Sequence, residues 1–443
     1  MDNQTIYALS TVYGKSGVAV IRISGDRAFD VIAKMTDIDI SAVQPRYAYF
    51  TNIKNPSGQL LDKSLVICFK APYSFTGEDI VELQIHGAKA VISSVLDGLS
   101  SLDNFRLAEP GEFSKRAFYH NKMDLTEAEG LADLIDAETS EQQKQALRQM
   151  EGVLKNIYDN WREQLLKVMA YLEAYIDFPD EELPQNIIDN LQNTVFKIQN
   201  DIEKHLSSNN IGERLRDGFR VVILGEPNAG KSSLLNAIAK RDAVIVSDIA
   251  GTTRDAIDIH MDINGYPVIF TDTAGLRQTA EAVEKQGIER AYTKAQDADI
   301  VICLFDCLRN IPQEFENIDK NKIIYVANKI DKADDNHKKT LQNKGCLTIS
   351  AKYAQGVEVL LNEIGQKIKD KFTANSSEII TRQRYREALK NAVSNLKNFN
   401  FDKEIELSAE DIRLAAREIG KITGRIEMDE VLDKIFSSFC IGK

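Results

Sequence analysis

The 443-residue sequence has no apolar run approaching the ~18 residues that a membrane-spanning helix needs. Its first residues, MDNQTIYALS, carry neither a basic segment nor a long apolar core, so no secretory leader is expected. Cysteine is scarce and odd in number: Cys68, Cys303, Cys307, Cys346 and Cys440. A disulfide framework is therefore not expected, a reducing compartment fits, and the chain is expected to be cytoplasmic with no membrane partner. Cys303 and Cys307 lie within or just after an apolar run, so their spacing reads as core rather than as metal ligation. Excess basic charge is also lacking: 55 Lys and Arg against 67 Asp and Glu leave a net charge of −12. Such a chain repels phosphate backbones on average, so any RNA contact must come from a local basic patch.

What is present is ordinary for a globular protein, with 43% hydrophobic and 28% charged residues. The length exceeds one ordinary core, so two or three domains are expected. Residues 1–118 read mainly as strands: GVAVIRISG (17–25), RYAYFTNIK (46–54), SLVICFK (64–70) and DIVELQIHG (79–87), with one helix in AKAVISSVLDGLSSL (88–102). This predicts an N-terminal α/β or α+β domain. From about 123 the period becomes helical. Leu154, Ile157, Trp161, Leu165, Val168, Leu172 and Tyr175 form one stripe, and Ile188, Leu191, Val195, Ile198, Ile202 and Leu206 a second. Helices return after about 374, in 385–399 and 409–423. The helical segments flank residues 216–373 on both sides, so the expected architecture is an α/β P-loop domain inserted in a discontinuous helical domain, 119–215 plus 374–443.

The insert carries the chemistry. Gly225-Glu226-Pro227-Asn228-Ala229-Gly230-Lys231-Ser232 matches the phosphate-loop pattern, after an apolar strand (Val221 to Leu224) and before a helix (Ser233 to Ala239). Glycines let backbone N–H groups turn in on phosphates, and the helix N-terminus adds positive potential. Lys231 is expected to reach the β and γ phosphates and the Ser232 hydroxyl to hold Mg²⁺, with Asn228, Ala229, Gly230 and Ser233 completing the cradle. Asp272-Thr273-Ala274-Gly275 follows the strand Pro267 to Phe270, which the Asn264-Gly265 turn joins to DIHMDI. Asp272 would hold Mg²⁺ through water, and the Gly275 N–H would face the γ-phosphate. Asn328-Lys329-Ile330-Asp331 follows the strand IIYVA. The Asp331 carboxylate can accept two hydrogen bonds from the guanine edge, which adenine cannot supply. Ser350-Ala351-Lys352 would close over the base. Singly each motif could be turn chemistry; in this order, each at a strand end, they define a GTP site. Leu276 follows Ala274-Gly275, so the water-aligning glutamine of Ras-like proteins is missing. Within Gly251-Thr252-Thr253-Arg254-Asp255, Thr253 is the natural second Mg²⁺ ligand.

The chain resembles the MnmE (TrmE) family of tRNA uridine-modification GTPases over nearly its whole length. The resemblance rests on IRISG (21–25), FTGEDIVELQIHG (75–87), PGEFSKRAFYHNKMDL (110–125), DLIDAETSEQ (133–142), GEPNAGKSSLLN (225–236), SDIAGTTRD (247–255), DTAGLR (272–277), VEKQGIER (283–290) and FCIGK (439–443). It implies a potassium ion held by Asn228 and backbone carbonyls of Ser247, Ile249 and Thr252, within a nucleotide-binding stretch that includes Asp248, Ala250 and Gly251. Several members of the family have Thr in place of Ser247. The resemblance makes Glu284 the acid that positions the water, beside Lys231 and Gly275 as catalytic groups. It also implies a folate-binding-like fold for the first domain, with a 5-formyl- or methylene-tetrahydrofolate pocket at Arg22, Glu82, Lys122 and Lys443, and a tail thiol, Cys440, nearby. Further implied are a homodimer through the N-terminal domain and a heterotetramer with an MnmG-like flavoprotein that carries FAD. Together they would install an aminomethyl-type or carboxymethylaminomethyl group on C5 of a tRNA wobble uridine.

Plainer readings stand beside these. Polar Glu82 on an alternating strand could face water, Arg22 could serve an ion pair, and Lys122 could be a solvated loop lysine. Glu284 could cap a helix electrostatically. Cys440 does not make a prenylation box with Gly442 and Lys443 after it, and a thiol on an amphipathic helix is commonly core. Arg413, Arg417, Lys421 and Arg425 lay a basic stripe that either meets RNA or is a solvated face with Glu410 and Glu418 nearby. A regulatory GTPase of ribosome assembly, without modification chemistry, is the alternative function.

Overall fold

A computed structural model of the chain describes residues 4–177, 185–207, 210–241, 243–245, 258–271, 294–312, 318–373, 379–401, 404–426 and 429–442. The chain divides into two compact units, Met1–Ala132 with Met150–Asn160 and Ile419–Lys443, and Asp133–Gln149 with Trp161–Glu418.

The first unit is built on a six-stranded sheet in the order β3-β4-β5-β2-β1-β6. Its strands are β1 (Thr5–Leu9), β2 (Ser16–Ser24), β3 (Ala48–Lys54), β4 (Leu60–Phe69), β5 (Ile80–Gly87) and β6 (Phe105–Leu107). All pair antiparallel except β1 with β6. Alternation in β2 and β5 decides which side chains face which layer. Ala19, Ile21, Ile23, Val81, Leu83 and Ile85 enter one core with Val31, Ile32, Val95 and Leu99 of the helices Asp30–Met35 and Lys89–Ser100. Arg22 and Glu82, which are register partners, therefore belong to the opposite face. There a smaller apolar cluster of Ile6, Ala8, Ala108 and Phe113, with Phe75 against it, covers the sheet.

The second unit holds a six-stranded sheet in the order β12-β11-β10-β7-β9-β8, made of β7 (Phe219–Leu224), β8 (Asp258–Ile263), β9 (Tyr266–Thr271), β10 (Ile300–Asp306), β11 (Ile323–Asn328) and β12 (Leu347–Thr348). Every pair is parallel except the β8–β9 hairpin. Parallel strands need both faces covered, and the continuous apolar runs VVIL (221–224) and IVICLF (300–305) meet that need. One face packs under the helices Lys231–Ala239 and Val357–Thr373; the other carries Val222, Leu224, Val301 and Cys303. The hairpin turns on Asn264 (φ 54°) and Gly265 (φ 89°), the left-handed pair expected of Asn-Gly.

The helical stripes are present with two substitutions of position. In Val153–Asp177 the buried residues are Leu154, Tyr158, Trp161, Leu165, Val168 and Leu172, so Tyr158 replaces Ile157 and Tyr175 stays half-buried. In Gln185–Ser207, His205 is buried and Leu206 only half so. The helix after the phosphate loop starts at Lys231, two residues before the sequence expectation. Among the described residues no helix is long and apolar enough to cross a membrane.

Candidate functional site

The phosphate loop leaves the C-terminal end of β7, where parallel α/β sheets place ligands. Asn228 (φ 63°) and Gly230 (φ 101°) both take left-handed backbone, and the helix Lys231–Ala239 begins at once, with the Leu234 N–H donating to the Gly230 carbonyl at 2.9 Å. The two glycines of the motif are required by close approach. A Cβ on Gly225 would lie 2.1 Å from the Leu304 carbonyl oxygen, and one on Gly230 2.3 Å from Asn328 Nδ2. Lys231 folds its ammonium over the loop, donating to the carbonyls of Gly225 at 2.5 Å and Glu226 at 3.1 Å. Asn228, Ser232 and Ser233 are exposed, while Ala229 is buried.

The base-reading end is tied to this loop by one side chain. Buried Asn328, the last residue of β11, donates from Nδ2 to the Ala229 carbonyl at 2.8 Å and accepts the Ala351 N–H on Oδ1 at 3.0 Å. Lys329 (φ 63°) turns the chain, and the Ile330 N–H reaches the Ile349 carbonyl at 3.1 Å. These contacts bring Ser350 to Asp331, Oγ donating to Oδ1 at 2.6 Å. The Ser350 hydroxyl above all, and then the Asp331 N–H, Lys332 and Lys352, hold the Asp331 carboxyl below the usual carboxylate range. An exposed carboxylate fixed as an anion is the acceptor that a guanine edge demands. Lys352 lies 5.0 Å from the centre of the Tyr353 ring.

Ser247, Asp248, Ile249, Ala250, Gly251, Thr252, Thr253, Asp272, Thr273, Ala274, Gly275, Glu284 and Lys443 lie outside the described residues. The structure adds partners that the sequence did not single out. Asp306, register partner of Asn328 across β10 and β11, accepts the Lys329 ammonium at 2.9 Å. Burial would raise the Asp306 carboxyl, but the Leu308 N–H and Lys329 outweigh it and hold it low. Arg309 pairs with Glu226 of the phosphate loop. The signal for Asp306 was its position at a parallel strand end; Arg309 had none. Cys303 and Cys307 are fully buried, and burial pushes the Cys303 thiol up to about 12.

In the first unit Arg22 and Glu82 form an ion pair, Nε to Oε1 2.9 Å and Nη2 to Oε1 2.8 Å. The guanidinium lies 5.4 Å from the Phe75 ring centre and 5.9 Å from that of Phe113. Phe75 opens a turn in which Gly77 (φ 82°) leaves room for His120, whose Nδ1 is 2.8 Å from the Thr76 carbonyl. Lys122 is exposed beside it: a Cβ on Gly77 would be 3.3 Å from Lys122 Cε. Behind Phe113, Arg116 is buried between Glu78 (3.0 Å) and Glu112 (3.4 Å), and Arg106 grips Glu112 at 2.6 Å. The tail returns to this unit. The Ser10 hydroxyl donates to the Gly442 carbonyl at 3.0 Å, and Gly442 (φ 96°) approaches so closely that a Cβ would be 2.4 Å from the Leu9 carbonyl oxygen. Leu9 follows Ala8, the register partner of Arg22, and Cys440 is exposed. On the basic stripe, Arg413 is paired with Glu410 and Glu173, and Arg425 with Asp159.

A phosphate loop, an Asn-Lys-x-Asp corner and a Ser-Ala-Lys loop at adjacent ends of one parallel sheet define a P-loop GTPase. A family model described as "MnmE helical domain" matches residues 125–440, and one described as "GTP-binding protein TrmE N-terminus" matches residues 5–122. The chain is 45% identical over 444 residues to the tRNA modification GTPase MnmE of a Wolbachia from Drosophila simulans, covering 100% of this chain and 99% of that protein. The MnmE of Paramagnetospirillum magneticum is 44% identical over 443 residues, 100% of both chains, and that of Rickettsia canadensis 45% over 447 residues, 99% of this chain and all of that one. The chain belongs to the MnmE (TrmE) family of tRNA modification GTPases. Among solved structures, the G domain of the T. maritima FeoB iron transporter is 26% identical over 34% of this chain and 98% of that one, with a TM-score of 0.25, too low to argue from.

Proposed function

We propose that this protein is a potassium-dependent GTPase whose turnover serves modification of C5 of the wobble uridine of certain tRNAs, with a flavin-dependent MnmG-like partner and a tetrahydrofolate one-carbon unit. It would act as a homodimer through residues 1–118, in the cytoplasm, with 119–215 plus 374–443 as the helical domain and 216–373 as the GTPase domain. The observation that carries the GTPase core is the Asn328 tie between the phosphate loop and the base-reading loop.

Lys231 would leave the Gly225 and Glu226 carbonyls for the β and γ phosphate oxygens, which hold its charge more strongly. Asp331, already anionic, would take the two guanine donors, with Ser350 fixing its orientation. Glu284 would hold the attacking water, and the Gly275 N–H would face the γ-phosphate. The phosphate loop, left-handed at Asn228 and Gly230 and running straight into the N-terminus of the helix Lys231–Ala239, suits a triphosphate with Mg²⁺ on Ser232 and Thr253. Exposed Asn228, on its left-handed turn, suits a cation ligand; Ser247, Ile249 and Thr252 would supply carbonyls. Bound there, Mg²⁺ and K⁺ would supply positive charge to offset the negative charge that develops on the phosphate oxygens. For the folate, the support is the half-buried Arg22–Glu82 pair beside two aromatic rings, with exposed Lys122 against the Gly77 turn and Lys443 following the docked Gly442 in sequence.

Wobble-nucleoside analysis of a deletion strain tests the whole: uridine unmodified at C5 is expected, and normal nucleosides would return the protein to a regulatory role. Hydrolysis in K⁺ should exceed that in Na⁺ by at least about tenfold if a cation supplies charge as an arginine finger does; equal rates remove potassium and leave GTP binding standing. Saturable binding of a reduced folate, lost in Arg22→Ala, is expected; none would leave the first domain a dimerisation scaffold.

A further inference from the structure

Residues 133–142, DLIDAETSEQ, lie in the same compact unit as the GTPase domain but contribute nothing to the nucleotide site. The structure shows what they touch. Asp133, in the last turn of the helix Leu125–Ile135, accepts two guanidinium groups on a single oxygen, Arg216 Nε at 3.0 Å and Arg382 Nη2 at 2.7 Å. Arg216 closes the helix Ile211–Asp217, which leads directly into β7; Arg382 follows the GTPase domain and precedes the helix Gln383–Asn398. One half-buried carboxylate thus holds the chain where it enters the domain and where it leaves.

The other end of the segment reaches the nucleotide domain itself. Thr139 and Gln142 cap the helix Ser140–Met150, the Gln142 Oε1 accepting the Thr139 N–H at 3.1 Å, and Gln142 Nε2 donates to the Arg216 carbonyl at 3.0 Å. The next donor in that first turn, the Glu141 N–H, goes to the Gly265 carbonyl at 3.1 Å. Gly265 is the tip of the β8–β9 hairpin, and the fit is close on both sides. A Cβ on Gly265 would lie 2.5 Å from Ser140 Oγ, and one on Gly365, in the helix Val357–Thr373, 2.4 Å from Asn264 Nδ2. β8 begins at Asp258, three residues after Asp255 of the Gly-Thr-Thr-Arg-Asp stretch, and β9 ends at Thr271, directly before Asp272. The hairpin therefore joins the two stretches whose residues would meet the γ-phosphate and its metal ion. A paired hairpin moves as a body, so a displacement at its base must appear at its tip.

A cavity of about 200 Å³, lined by Asp133, Asp136, Gln142, Gln145, Arg216 and Asp217, borders these contacts. The Gln145 Oε1 is buried there without a hydrogen-bond partner among the described residues. The segment is thus firmly tied at Asp133 and loosely filled beside it, which allows a second arrangement.

We propose that residues 133–142 carry the nucleotide state out of the GTPase domain: the helix start at Ser140 and Glu141 reads the hairpin tip, and Asp133 is a positioning residue that keeps the reader in register with the domain's two chain crossings. The inference rests on the reading that GTP turnover drives tRNA modification. It requires that the two activities separate when this segment is disturbed, since none of its residues belongs to the phosphate-loop or base-reading motifs.

The test uses the full-length protein in three versions. Asp133→Asn keeps the shape and removes the charge, Asp133→Glu restores it, and Ser140→Leu presses on the hairpin tip from an exposed position. For Asp133→Asn and Ser140→Leu we expect kcat and KM for GTP within about threefold of wild type and modified wobble uridine, in a complemented deletion strain, down at least tenfold. Asp133→Glu should recover at least half of the modification. A spin-label pair on Lys144 and His260 should report a distance that differs between GTP- and GDP-bound wild type and no longer differs in Asp133→Asn. Full modification with an unchanged distance response in both Asp133→Asn and Ser140→Leu overturns the proposal. So does a fall in GTP turnover as large as the fall in modification, which would make the segment mere support for the site. If the wild type restores no modification in that strain, the functional reading has failed instead, and the distance response alone decides.

Discussion

Asn328 Nδ2 donates to the Ala229 carbonyl at 2.8 Å while Asn328 Oδ1 takes the Ala351 N–H at 3.0 Å, so one buried amide fixes the phosphate loop and the base-closing loop to the end of β11. Asn328→Ala leaves a carbonyl and an N–H unpaired in a closed environment. Each such group costs about 1–3 kcal/mol, so a loss of roughly 2–4 kcal/mol in the stability of this unit is expected from urea unfolding. GDP affinity, measured by calorimetry, should fall at least about thirtyfold because both loops lose their common anchor. Unchanged affinity would mean that the nucleotide orders the loops unaided.

Selection of the base should depend on Asp331 directly and on Ser350 indirectly. Asp331→Asn replaces an acceptor-only group with one that presents a donor to the guanine edge, and GTP affinity should drop by about 100-fold or more. Ser350→Ala removes only the 2.6 Å bond that orients the exposed carboxylate, so a fall of about three- to tenfold is expected, roughly the net worth of one solvent-accessible hydrogen bond. Competition assays with GTP and ATP check both. A Ser350→Ala protein as defective as Asp331→Asn would place Ser350 on the base itself.

Two buried groups, one in each unit, should give opposite pH slopes. Burial pushes the Asp124 carboxyl from 3.8 up to about 6, against the Glu127 N–H and the Thr126 hydroxyl. Folding therefore favours its protonated form; that contribution is complete below pH 3.8 and lost as pH rises through about 6. Burial, aided by the Arg386 charge, pulls His205 from 6.5 down to about 4. Folding favours neutral His205, so its contribution is present above pH 6.5 and lost as pH falls through about 4. At about 1.4 kcal/mol per tenfold change in proton affinity, each amounts to roughly 3 kcal/mol. Asp124→Asn should stabilise the first unit by roughly 1–3 kcal/mol at pH 7.5 and hardly at all near pH 4, because an amide still caps the helix Leu125–Ile135 but needs no proton. His205→Asn should flatten the acid limb of the second unit. Denaturant titrations at several pH values, following the two units separately, measure both.

Charged side chains in the first unit should divide by what they leave behind. Arg116→Ala leaves mostly buried Glu78 without its cation and Glu112 with Arg106 alone, and should cost about 3–5 kcal/mol. Arg22→Ala leaves only Glu82 without its cation, at a site more open on the arginine side than that of Arg116, and should cost about 1–3 kcal/mol while removing folate binding. Thermal unfolding beside folate titration distinguishes the two roles. Equal destabilisation would make the Arg22–Glu82 pair structural first.

Much of this was legible in the chain itself, for definable reasons. Strands β2, β4, β5, β7, β9 and β11 announce themselves through β-branched runs, and Asn264-Gly265 fixes a hairpin because few other pairs accept two left-handed residues. The phosphate and base motifs are local, and their geometry is local. Short β1 and β6 passed unnoticed because five and three residues give too little period to detect. Tyr158 took the place assigned to Ile157: either fits between Leu154 and Trp161, and the buried set runs in strictly alternating steps of four and three. The contacts that assemble the site escaped for another reason. Asn328 to Ala229, Arg309 to Glu226 and Arg116 to Glu78 join residues 99, 83 and 38 positions apart, and nothing in composition or spacing marks such a pair.

The salt link from Asp133 to both Arg216 and Arg382 also bears on how such a molecule could have been assembled. Two guanidinium groups on one oxygen put the backbone on either side of the 165 intervening positions within a bridge of roughly four or five residues. A gene splice at that spot meets ends that are already neighbours, so the host helices need not have been remade to accept a guest. The same proximity makes excision practical: a chain shorn of the guest and closed by a brief glycine-serine tie should leave its remaining helices undisturbed.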